Sequence, residues 1–260
     1  MLTSVFAKGL RDRTTSTMAI IIGTLLYGGL GMGVYSSFDD AALDFVDEMP
    51  EAIRAIYGTD TSTSAGLVLG AMFSLMAPLM VLVYGISGGT NASTGEERAR
   101  SLGLLLANPV SRTRVLLAKS AVVVVGVVLF CVATWGGVEA IAALTGIDAS
   151  EQNVLAACVQ LVGLGLMFGG LALVIGSATG RSIGSGIAAT IAALSYLITT
   201  LLPTEPDLER YAKFTPWYLY SGGDPLNQGV DWPGLVAMLV IAAALAAASV
   251  FLINRRDLRE

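Results

Sequence analysis

Along the chain, long apolar runs alternate with short polar ones, and the apolar runs have the length of membrane spans. Six stretches carry no carboxylate or base near their middle: Thr17 to Tyr35, Ala65 to Ile86, Ser120 to Leu144, Val154 to Ala178, Ser185 to Leu202 and Leu235 to Ile253. A hydrocarbon core about 30 Å thick takes roughly 20 residues of helix, so each run predicts one transmembrane helix. The short alternating segments of a membrane β-barrel do not occur. The pattern therefore predicts an all-α membrane protein of six transmembrane helices, forming a single domain over residues 1–260.

The polar stretches between the runs have patterns of their own. Within residues 87–119, the run GEERARSLGLLLANPVSRTRVLLAKS reads as a short helix. Ser93 with Glu96, and Thr94 with Glu97, fit capping boxes that would start it near Gly95. Ala99, Leu102, Leu105 and Leu106 then share one face, and Asn108 before Pro109 ends it. Ser111 can cap the helix that follows. Such a piece would rest on the membrane by its apolar side. In residues 36–64, Leu43, Val46, Ile53, Ile56 and Tyr57 recur at helical spacing among carboxylates, the mark of an amphipathic helix or helix pair. Residues 203–233 form a longer segment punctuated by Pro and Gly, more than a connector. Its Trp217, Tyr218, Tyr220 and Trp232 are expected to form an interfacial aromatic belt.

Composition agrees with the spans. The chain is 54% hydrophobic and 13% charged, against about 25% charged in soluble domains, and its mean hydropathy is +0.72. Every Lys and Arg except Arg54, Arg210 and Lys213 falls on one side if the six spans alternate. The positive-inside rule then places both termini in the cytoplasm, with residues 36–64 and 203–233 outside. Carboxylates gather on the outer side, so the pI of about 4.8 reflects an acidic exterior, read as a solvated surface. The absence of histidine removes His-based metal sites and His-dependent hydrolysis. Cys131 and Cys158 both lie inside spans and suggest no disulfide framework. The first apolar run is too long for a signal-peptide core and is read as a retained span.

Ionisable or polar groups inside spans are candidates for function. Glu139 lies about 30 Å along its helix from Lys119, near the outer headgroups, where it either snorkels or lines a pathway. Gln160 and Tyr196 lie deeper and can bond between helices. Gly29 and Gly33, Gly66 and Gly70, Gly85 and Gly89, and Gly180 and Gly184 have the spacing of closely packed helices.

The run GEERARSLGLLLANPVSRTRVLLAK resembles the cytoplasmic loop between the second and third spans of ABC-2 type transporter permeases. Three further pieces agree with that family: GGLALVIGSATGRSIG at the end of the fourth span, TPWYLYSGGDPLNQG before the sixth, and the closing RRDL after it. The resemblance covers the whole chain in order. It implies a coupling helix docking on an ATP-binding subunit, with Glu96, Glu97, Leu104, Leu105, Leu106, Pro109, Ser111 and Arg112 matching the docking region. The chain departs at Arg100 and Gly103, where relatives often carry Gly and an acidic residue. The resemblance further implies an amphipathic inner-surface helix over residues 1–16, built on Val5, Phe6 and Leu10, and short helices dipping into the outer leaflet within 203–233.

No Gly-x-x-x-x-Gly-Lys-Ser/Thr loop is present. The expectation is therefore a non-enzymatic permease subunit without cofactor, exporting an unspecified substrate while a separate subunit binds ATP. Its expected partners are that subunit, a second copy or sister permease, and the lipid bilayer, with no nucleic acid. An ion-coupled secondary carrier and a non-transporting membrane anchor are the alternatives.

Overall fold

Each apolar run becomes a helix because only a helix satisfies its own backbone in lipid. A computed structural model describes residues 2–35, 50, 64–98, 111–147, 152–204 and 209–255. Among the described residues there are helices and no strands. The first span is α1 (Leu2–Tyr35). The second is α2 (Ser64–Ala71), a π-helical segment (Met72–Met76) and α3 (Ala77–Arg98). The third, fourth and fifth are α4 (Arg112–Thr145), α5 (Val154–Thr179) and α6 (Ile183–Leu201). A 3₁₀ turn (Leu202–Thr204) and three short helices follow, α7 (Glu209–Ala212), α8 (Tyr218–Ser221) and α9 (Pro225–Gln228), before the sixth span, α10 (Trp232–Arg255). Among the described residues, six helices are thus long and apolar enough to cross a membrane. We call the end of the bundle carrying both termini the terminal end, and its opposite the far end.

Two boundaries differ from the sequence expectation. The surface helix expected over residues 1–16 is continuous with the first span. The polar Thr14–Thr17 stretch stays helical because the hydroxyls of Thr14 and Thr17 donate back to the carbonyls of Leu10 (2.9 Å) and Arg13 (3.0 Å). Second, α3 runs unbroken through Gly95 to Arg98, so no helix starts there. The hydroxyl of Ser93 donates to the carbonyls of Gly89 (3.1 Å) and Thr90 (3.0 Å), and that of Thr94 to Thr90 (2.9 Å). Hydroxyls held by their own helix cannot cap a new one. Ser111 does stand at the N-cap of α4, but through its carbonyl, which accepts the amides of Arg114 (3.0 Å) and Val115 (3.3 Å).

The centre of the bundle is α5, which packs on α3, α10, α6 and α4, while α1 lies along α4. Its contact with α3 is the closest, because glycines face glycines. A methyl at Gly85 would lie 2.5 Å from the Gly165 carbonyl oxygen, and one at Gly89 would lie closer still to that of Gly169. Of the glycine pairs noted in the sequence, Gly85 and Gly89 are therefore spent inside the chain. A methyl at Gly33 would meet nothing within 4 Å, and Gly180 ends α5 in the left-handed conformation at φ 65°. The main core runs through this bundle, and a smaller cluster of Ala92, Leu116 and Leu173 closes the terminal end beside Val250 and Ile253.

This packing makes an uneven prediction for glycine. Gly89→Val should lower the melting temperature in detergent by about 3–10 °C, or remove the monodisperse species, through overpacking. Gly33→Ala should change it by less than about 2 °C. Thermal melts on size-exclusion peaks distinguish the two.

Candidate functional site

The geometry with the clearest chemical cause lies at the far end, in the segment between α6 and α10. It begins with a proline in the second span. Pro78 has no amide hydrogen to offer the carbonyl four residues earlier, and its ring crowds that carbonyl. The helix widens just before it into the π segment, where the Ala77 amide donates to the Met72 carbonyl instead of that of Phe73. Five residues beyond Phe73 stands Pro78 itself, so the π register offers Phe73 no amide either. The Tyr220 hydroxyl fills the gap, donating to the Phe73 carbonyl at 2.6 Å. Tyr220 is buried, and burial pushes its phenol well above the usual tyrosine range, so it remains a neutral donor.

The rest of the segment is knitted to the bundle by side chains of α5 and α6. Gln160 is fully buried in α5, and its amide nitrogen donates to the carbonyls of Leu219 (3.0 Å) and Asp231 (3.3 Å), on either side of the segment's final turn. Its amide oxygen is buried with no hydrogen-bond partner among the described residues. Asn153, at the start of α5, donates its backbone amide to Leu226 (2.6 Å) and its side-chain amide to Asn227 (3.2 Å). From α6, the Ser195 hydroxyl accepts the Trp217 amide at 2.7 Å, and Thr199 shares a short hydroxyl contact with Thr215. Tyr196 meets Trp217 edge to face at 4.9 Å, and Trp217 meets Tyr220 at 6.0 Å. Residues 209–231 thus form a cap inserted among the far ends of the second, fourth and fifth spans.

This corrects the aromatic-belt expectation. Trp217 and Tyr220 are buried in the core, whereas Trp232 is 65% exposed, where an interfacial tryptophan belongs. The reason is polar pairing: the Trp217 amide and the Tyr220 hydroxyl both find partners inside the bundle. Spacing alone could not reveal it, because those partners come from segments far away in sequence.

A second polar cluster joins α1 to α3 at the terminal end. The Arg13 guanidinium donates to the Ser87 hydroxyl (2.9 Å) and the Tyr84 carbonyl (3.4 Å), and lies 4.4 Å from the centre of the Tyr84 ring. Thr17 donates to the Tyr84 hydroxyl at 3.2 Å. One guanidinium nitrogen is buried against the notch at Gly88 without a hydrogen-bond partner among the described residues. In the sequence Arg13 contributed only to the inside charge count, since no local pattern marks its contact with a residue 71 positions away.

Of the three residues that the sequence suggests for a pathway, Gln160 and Tyr196 converge on the cap. Glu139 does not; it stands exposed on α4. Of the docking residues, Glu96 and Glu97 lie in the last turn of α3, Ser111 at the N-cap of α4, and Arg112 in its first turn. Leu104, Leu105, Leu106 and Pro109 lie outside the described residues, as does the amphipathic stretch expected over 36–64 apart from Pro50 and the first residue of α2. Both cysteines are buried and free.

Among known families, the chain matches over residues 2–252 the one described as "Multidrug efflux system permease Rv1217c, C-terminal domain". No curated protein and no solved structure gives a match.

The cap geometry predicts the effect of removing Gln160. Gln160→Leu strips a donor from two buried carbonyls and should destabilise the cap by about 0.6–2 kcal/mol. With Trp135 and Trp232 replaced by Phe, Trp217 emission should shift to the red at a lower temperature than in the Gln160 parent. An unchanged transition would mean that Gln160 does not hold the cap.

Proposed function

Because the chain belongs to the family described by the C-terminal domain of a multidrug efflux system permease, we propose that it is the membrane-spanning half of an ATP-driven exporter of the ABC-2 type. In this reading it moves small hydrophobic molecules outward and takes its energy from a separate ATP-binding subunit docked on residues 96–112. The terminal end faces the cytoplasm, as the positive-inside rule requires. A second copy or a sister permease completes the translocation unit, since six spans are half of the set such exporters use.

One observation carries the proposal: the end of α3, which leads into residues 99–110, is joined to the far-end cap through continuous helices. α3 extends about 18 Å beyond Ile86, as far as Arg98. Glycine contacts hold α3 to α5 at Gly85 and Gly89. From α5, Gln160 and Asn153 hold the cap. A push on residues 99–110 would therefore travel along packed backbone as far as α5 and reach the cap through the Gln160 and Asn153 hydrogen bonds, the contiguous path that a coupling element needs. Arg13 adds α1 to the same unit through Tyr84 and Ser87. The 260 residues contain no phosphate-binding loop, in keeping with an ATP site on a partner.

The test is co-purification in mild detergent from native membranes, scored for an ATP-binding subunit and its ATPase rate. The double variant Leu105→Asp, Leu106→Asp should lose the subunit and at least about tenfold of the stimulated ATPase activity, while the chain still inserts in the membrane. Undiminished association in that variant, or no ATP-binding subunit beside the unaltered chain, would reject the reading.

A further inference from the structure

We propose that residues 72–78 are a two-register switch in the second span, held in the π register by the cap's Tyr220 and free to fall into the α register when the cap lifts. In the π register the Ala77 amide serves Met72, and the Phe73 carbonyl has no helical donor. In the α register the same amide would serve Phe73, and the carbonyl without a helical donor would be that of Ser74, because Pro78 has none to give. Proline therefore removes one helical bond from either register, and the two differ chiefly in which carbonyl is left bare. Lipid supplies no water to a bare carbonyl, so a donor from outside the helix decides between them. That donor is the Tyr220 hydroxyl, buried and 2.6 Å from the Phe73 oxygen.

The two registers place the halves of the span differently. Losing the extra residue turns the helix before the bulge by about 100° relative to the helix after it. α3 cannot absorb this turn, because Gly85 and Gly89 press on the α5 backbone. The part before the bulge can, since it meets α1 through side chains and not backbone: a methyl at Gly31 would lie 2.8 Å from Val68 of α2, and one at Gly28 would lie 2.9 Å from the sulfur of Met72 in the π segment. Lifting the cap would thus turn the outer third of the second span and leave the terminal half in place. Because residues 66–70 are buried on every side, the turn drives Val68 and Met72 out of the notches at Gly31 and Gly28 and parts α2 from α1, which opens position 69. The use of this motion in transport rests on the permease reading above; the register equilibrium does not.

The experiment reads thiol accessibility in the full chain in lipid nanodiscs, without any ATP-binding subunit, so its outcome is independent of the permease reading. Cys131 and Cys158 are replaced by Ala, and a membrane-permeant maleimide labels Leu69→Cys, a site wholly buried in the π register, or Leu161→Cys on α5 as a folding control. Tyr220→Phe removes the outside donor. Pro78→Ala supplies the missing amide to either register, but in the π register Tyr220 already serves Phe73, so the gain falls on the α register. Position 161 checks that trimming the buried Pro78 ring leaves the fold intact. Each should raise the labelling rate at position 69 at least about fivefold, leave position 161 slow, and add nothing when combined. Rates at position 69 within about twofold of the parent in both variants would overturn the switch. So would a rise in Tyr220→Phe that Pro78→Ala does not share, since Tyr220 would then be only a fastening for the cap. If Tyr220→Phe also exposes position 161, that variant has unfolded and Pro78→Ala alone decides.

Discussion

The rest of the far end depends on one constraint: a carbonyl in the hydrocarbon region must find a donor within the protein. Pro78 breaks the regular supply of donors in the second span, and the helix alone cannot repair it. The repair comes from Tyr220, 147 residues further along the chain. To deliver that hydroxyl, the segment after α6 has to enter the bundle, and once inside it brings its own unpaired backbone groups. Gln160, Asn153 and Ser195 answer these in turn, and Thr199 meets the Thr215 hydroxyl. A single proline therefore accounts for a series of polar side chains on helices that otherwise need none.

At the other end the logic is steric. Glycine on both α3 and α5 lets two backbones approach more closely than any side chain would permit, and the contact gains dispersion and geometric definition in place of a hydrophobic driving force that lipid does not provide. Ser93 extends the same face by one further turn, its hydroxyl turned back onto its own helix. That explains why a stretch as polar as Ser87 to Gly95 remains helical beyond the apolar run. Arg13 then fixes α1 to this pair at the level where the apolar runs end, using an aromatic ring and neutral oxygens as its partners.

The six spans were legible in the sequence because length and apolarity alone determine them, and the structure moves their boundaries without changing their number. The capping signals at Ser93 and Thr94 misled, since a hydroxyl four residues after a helical carbonyl serves that carbonyl as readily as it caps a new helix. Gln160 and Tyr196 stood out as polar groups in apolar spans, and both belong to the cap. What they bind was hidden, because Leu219, Asp231 and Trp217 contact them only after the chain has folded back. Pro78 left no mark on the reading of the second span as one run, because its consequence depends on the position of Tyr220. Glu139, the one carboxylate that drew notice in the third span, joins neither polar cluster.

These two constraints divide the molecule mechanically. Glycine contacts have no slack: the α3 and α5 backbones touch, and any relative rotation drives peptide into peptide. The π segment has slack by construction, since it carries one residue more than its hydrogen bonds require. In the permease reading, a displacement imposed at the terminal end would pass through α3 to Ala77 and meet compliance there, one turn from the carbonyl that Tyr220 occupies. The cap is fastened on both sides of this joint, by Gln160 and Asn153 to the stiff helix and by Tyr220 to the compliant one. A stiff lever ending at a compliant joint concentrates motion at the joint, so the Tyr220 bond bears the relative displacement of the two halves while the bonds to α5 travel with the lever.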